Sequence, residues 1–143
     1  MCRNFCCRCS CEGIDDIQEG IRNLNIGLDE ILQFNIRRGV REINEGICDC
    51  REGLRDIFAR VRRERCNMNR GRLNDIRRGI CSIEEGIRDI CEGCDDMRRG
   101  FGNEGIRDIR EGITDIEEGL QDIIDGLNDN ISQNARRINC SNF

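Results

Sequence analysis

A chain of 143 residues is long enough for one domain that hides roughly 70% of the surface its unfolded form exposes. Its 23 Lys+Arg against 28 Asp+Glu leave a net charge of −5, no cationic footprint for nucleic acid, and all the positive charge is arginine, because lysine is absent together with histidine, proline, tryptophan and tyrosine. General acid–base catalysis draws on histidine, perturbed carboxylates, lysine or tyrosine; three of these are missing, and Ser10, Ser82, Ser132 and Ser141 sit in no nucleophile elbow or dyad, so neither an enzyme nor a small-molecule substrate is expected.

Residues 1–12 form a cysteine-rich N-terminal segment that carries Cys2, Cys6, Cys7, Cys9 and Cys11. It holds no apolar run of the kind a signal peptide needs, so synthesis in the cytoplasm without a signal peptide is the expectation. From residue 13 a seven-residue unit recurs, clearest in EGIRDIREGITDIEEGLQDIIDGL: Gly, Ile or Leu, two polar residues, Ile, two polar residues. With glycine at position g the apolar residues fall at a and d, which is a helical spacing and not strand alternation. The glycine phase changes three times, at Gln33–Asn35, Arg65–Gly71 and Phe101–Gly105; the last two stretches are rich in turn residues, whereas the first carries only a slight turn signal. The predicted elements are therefore helices over 13–33, 37–64, 72–100 and 104–130, followed by a C-terminal tail over 131–143 that is a candidate helical extension. Glycine once per heptad costs about 1 kcal/mol per position relative to alanine, so its expected role is close approach of neighbouring backbones. Pairs such as Arg88 with Glu92 and Arg107 with Glu111 are spaced for ion pairing on a solvated outer face.

Register decides how these helices meet. In an antiparallel pair an a residue shares a layer with a d residue of its partner, so their residue numbers sum to a constant. The four constants are mutually consistent, and the layers run from Ile14, Ile57, Ile80 and Ile123 to Ile31, Val40, Met97 and Ile106. The predicted fold is all-α: an antiparallel up-down-up-down four-helix bundle with glycine-marked heptads, about 30 Å long. One rival satisfies the same pattern, a hairpin of two long helices that pairs as a dimer. In the bundle, neighbours meet alternately along g edges and e edges, and the glycines should make two tight pairs.

Twelve cysteines then acquire positions. Cys2, Cys6, Cys7, Cys9, Cys11, Cys66 and Cys140 should gather at one end, where short CC and CxC spacings suit a soft-metal thiolate cluster of Cu(I) or Zn and equally suit disulfides. No other cofactor is implied. Cys50 and Cys94 occupy core positions as small buried hydrophobes. Cys48, Cys81 and Cys91 fall on outward or flanking positions as cross-linking candidates, with Cys48 and Cys91 at nearly one level on adjacent helices. Phe5 and Phe143 lie at the thiol-rich end as apolar anchors. The expected partner is the chain itself, in a homo-oligomer or polymer. Membrane-surface binding through the isoleucine stripe is a third reading, disfavoured by few aromatics and no lysine.

The CCRCSC segment, the abundance of cysteine and the repetitive composition resemble the cysteine-rich coat and exosporium structural proteins of bacterial spores. That resemblance implies a self-assembling filament, sheet or coat component, made in the cytoplasm, reaching a spore or cell surface after release and oxidised there. It transfers no functional residue.

Overall fold

The computed structural model describes the backbone of residues 2–128 and the side chains of residues 12–128. It contains four α-helices: α1 (Cys2–Leu32), α2 (Ile36–Glu64), α3 (Arg70–Arg98) and α4 (Gly102–Asn128), with a single 3₁₀ turn at Arg65–Asn67 between α2 and α3. α1 starts earlier than the repeat does, taking in most of the segment expected to precede the bundle; no proline or glycine interrupts Cys2–Glu12. The tail over 131–143 lies outside the described residues. No helix among the described residues is long and apolar enough to cross a membrane.

The bundle is two tight pairs, α1 with α2 and α3 with α4, joined along looser α1–α4 and α2–α3 contacts over one continuous core. The glycines at the g positions explain the tightness. Gly13 faces the Gly53 carbonyl, Gly20 that of Gly46 and Gly27 that of Gly39; Gly79 faces Gly119, Gly86 faces Gly112 and Gly93 faces Gly105. In every rung the d side chain of the opposite helix lies where a Cβ would stand: Cys50 over Gly20, Leu24 over Gly46, Ile116 over Gly86, Ile90 over Gly112. The d residues Ile17, Leu24, Ile43, Cys50, Ile57, Ile83, Ile90, Ile109, Ile116 and Ile123 are accordingly 0% exposed, whereas a residues such as Leu54, Ile80 and Leu120 keep a sliver of surface and Ile14, Ile21, Val40 and Ile106 are only partly buried. Burying each such side chain is worth about 1.5–3 kcal/mol, enough to offset the propensity cost of the glycines. The core also runs further toward the 3₁₀ turn than the predicted layers, adding Met68, Ile76 and Leu127.

Both turns at the opposite end close in the same way. After α3, Gly100 adopts φ +90, the Phe101 amide donates to the Asp96 carbonyl (2.8 Å) and the Gly100 amide to that of Met97 (3.3 Å), the double bond of a Schellman cap. After α1 the Asn35 amide donates to Glu30 (2.8 Å) and the Phe34 amide to Ile31 (3.0 Å), but the left-handed residue is Phe34, φ 68. This turn rules out the two-long-helix hairpin: α1 and α2 are separate antiparallel helices. α3 is started by Asn69, whose Oδ1 accepts from the Arg72 amide at 2.8 Å.

Surface ion pairs differ in partner from those expected. Arg107 lies 4.0 Å from Asp108 instead of pairing with Glu111, Arg88 makes no ion pair among the described residues, and the short-range pairs run mostly back by three residues, as in Arg22–Glu19, Arg78–Asp75 (2.7 Å) and Arg98–Asp95 (3.2 Å). These pairs are exposed and add little stability.

Gly112→Ala places a methyl 2.5 Å from both the Gly86 carbonyl oxygen and Ile90 Cγ1, so despite the better helix former it is expected to cost about 1–3 kcal/mol in thermal or urea unfolding. Gly102→Ala, with nothing within 4 Å, serves as the neutral or mildly stabilising control. Phe34, 88% exposed, loses no packing on Phe34→Gly, which is expected to stabilise the chain by about 1 kcal/mol in the same assay.

Candidate functional site

The helical body sorts the thiols into two classes. Cys50 stands at a d position of α2 and is 0% exposed; the Cβ of an alanine at position 20 would come within 2.6 Å of its sulfur. Burial first, then the negative charge of Asp49, pushes its thiol up to about 12. Cys94, at an a position of α3, is pushed up to about 11, again by burial first and then by neighbouring Cys91. Thiols that resist deprotonation in a packed core are poor nucleophiles and poor ligands, so these two are packing residues, as their register positions imply.

Cys48, Cys66 and Cys81 are exposed and Cys91 is half-buried; no disulfide joins the described cysteines. Cys48 and Cys91 are thus both free thiols. Cys91 opens into a groove of about 630 Å³ between α2 and α3, floored by Leu54, Ile87 and Phe58 and rimmed by Arg51, Arg55 and Arg88. Cys48 borders a different groove, of about 610 Å³, beside Val40, Arg41 and Asn44. Of the seven cysteines expected at one pole, Cys66 is exposed on the 3₁₀ turn between α2 and α3. Cys2, Cys6, Cys7, Cys9 and Cys11 belong to the first turns of α1, but their side chains lie outside the described residues, as do that of Phe5 and the whole of Cys140 and Phe143. Among the described residues, no group of three or more Cys, His, Asp or Glu side chains converges in a way that could hold a metal ion.

Two features were missed from sequence. The first is Arg72, which occupies the g position seven residues before Gly79, where the repeat elsewhere has glycine. It is buried; its Nε donates to the Gly126 carbonyl at 2.7 Å and a terminal nitrogen donates to that of Leu127 at 2.8 Å. The guanidinium therefore caps the C-terminus of α4, at the negative end of its dipole. A nonglycine residue on a glycine rung was the available signal.

The second is the crowding of carboxylates at c positions beside the glycine seams. Asp16 is raised above its ordinary value by burial, then by Asp56, Glu52, Asp49 and Glu12. Asp115 is raised by burial, then by Asp89, Glu85, Glu118 and Glu111. Because the helix backbones approach so closely at glycine, carboxylates of partner helices are brought face to face. A carboxyl with a raised folded pKa binds its proton more tightly in the folded chain. Stability therefore falls as pH rises from the ordinary value of 3.8 through the raised one, and the cost is complete at neutral pH. Asp115→Asn is expected to stabilise the chain at pH 7 by about 0.5 kcal/mol, solvent screening keeping the gain small, and to lose that advantage below pH 3.8; thermal melts across this range measure it.

Comparison of the chain with protein-family models, with curated proteins and with solved structures finds no match.

Proposed function

We propose that the protein is a structural subunit that associates with copies of itself and is then fastened through surface cysteines, as a component of a filament, sheet or coat such as those at a cell or spore surface. The observation that carries this reading is the split among the thiols: Cys48, Cys66 and Cys81 are free and exposed on a body whose interior is packed with Ile, Leu and two closed-off cysteines. Helices locked together at every glycine rung make a stiff brick, and thiols held on a stiff surface meet partners of other copies more readily than one another. Each cross-link joins two thiols in one disulfide, with two protons and two electrons passing to an oxidant such as dioxygen or a small-molecule disulfide.

The test is oxidation of the purified chain with oxidised glutathione, followed by non-reducing electrophoresis and electron microscopy. The expected result is a ladder of multimers that collapses under reductant, with ordered assemblies in the oxidised sample. The triple serine variant at Cys48, Cys66 and Cys81 should give a markedly shorter ladder. A chain that stays monomeric after oxidation, or one that carries stoichiometric Cu or Zn after anaerobic purification and forms no ladder, overturns the reading.

A further inference from the structure

Along α2 and into the 3₁₀ turn, on the flank that borders the groove toward α3, a stripe runs from Arg37 to Arg65 in alternating steps of four and three residues. It holds Arg37, Arg41, Arg51, Arg55, Arg62 and Arg65, with Asn44, Cys48 and Phe58 between them and no carboxylate. Every position of it is exposed. The six arginines are absent from the ion pairs found among the described residues. Like charges at helical neighbour spacing repel; Glu84 shares a groove with Arg51 and Arg55 and Glu45 one with Arg37 and Arg41, but no carboxylate among the described residues comes within ion-pairing distance of the six guanidinium groups.

α4 bears the opposite. From Glu104 to Asp125, in the same alternating steps, every position is a carboxylate; Glu104, Glu111, Glu118 and Asp125 are exposed and the residues between them half-buried. Asp122 pairs with Arg78 at 3.4 Å and Asp108 lies 4.0 Å from Arg107; Glu104, Glu111, Asp115, Glu118 and Asp125 are absent from the ion pairs found among the described residues. The two stripes extend about 42 Å and about 32 Å along their helices at 1.5 Å per residue. α2 packs on α1 and α3, and α4 on α3 and α1, so α2 and α4 are diagonal in the bundle and their stripes do not meet within one copy.

The geometry points to a second copy of this chain as the occupant of the α2 stripe, docked through its α4 stripe. The contact is heterologous: each copy offers one cationic and one anionic stripe, so copies add head to tail, in a row or in a ring according to the rotation between them. This deepens the self-assembly reading and rests on it, because it names the surfaces that meet before any thiol is oxidised. It also divides the thiols. Cys48 lies within the stripe and is covered by the neighbour, whereas Cys66 and Cys81 lie outside it and remain for cross-linking.

A charge swap on the full-length, reduced chain tests this by light scattering and analytical ultracentrifugation at low salt. Wild type should associate, protect Cys48 from alkylation, and dissociate near 1 M salt, where the screening length is about 3 Å. Arg51→Glu with Arg55→Glu makes both stripes acidic along their middle; Glu111→Arg with Glu118→Arg makes α4 basic there to match α2. Each variant alone should associate about tenfold more weakly or worse, with circular dichroism showing the helices intact, and an equimolar mixture should co-assemble because both contacts are again complementary. Folded variants that still assemble singly, or a mixture that stays monomeric, overturn the inference. So does reduced wild type that binds duplex DNA through Arg51 and Arg55 in place of itself. Reduced wild type that stays monomeric at low salt yet forms the disulfide ladder overturns the inference alone; one that does neither overturns the self-assembly reading as well.

Discussion

The bundle depends on one contact, repeated: a d side chain lying across the backbone of a glycine in the facing helix. Only at a residue without a Cβ can the carbonyl of the opposite glycine come so near, and only because the d side chain fills the space above it is that nearness favourable. The looser e-edge contacts follow from the same rule. With glycine confined to g, just one edge of each helix permits close approach, so four equivalent helices separate into two pairs.

That closeness has an electrostatic consequence. The c positions flank the glycine seam, and they are largely acidic in all four helices, so drawing the backbones together draws carboxylates together too. Asp16 on one seam and Asp115 on the other bear the same mark for the same reason. A repeat that optimises the core thus charges the outside of each pair negatively, and the arginines that balance the composition are left to other faces, most densely to the stripe on α2.

The ends are finished by exceptions to the repeat. Arg72 takes a glycine rung and uses its guanidinium to satisfy the carbonyls at the end of α4. Gly100 closes α3 with the backbone conformation it adopts easily, whereas Phe34 holds the same left-handed conformation at a cost. The hydrogen bonds of the two caps match, and this is why the turn after α1 was weakly marked in the sequence: the backbone motif is ordinary, but its usual residue is missing.

Periodicity alone determined that this chain is helical, where glycine falls on each helix, and, through register, that the helices form an antiparallel ring with Cys50 and Cys94 inside. Those properties follow from spacing, which a sequence displays directly. The d residues could not be distinguished from the a residues on that basis, since both are apolar at equivalent intervals; tertiary packing separated them, because only d lies over glycine. Likewise composition showed a mild net charge of −5, but the separation of a stripe whose only charges are cationic from a wholly anionic one was decided by the topology, which sets α2 diagonal to α4. A sum of charges has no direction, and a folded brick does.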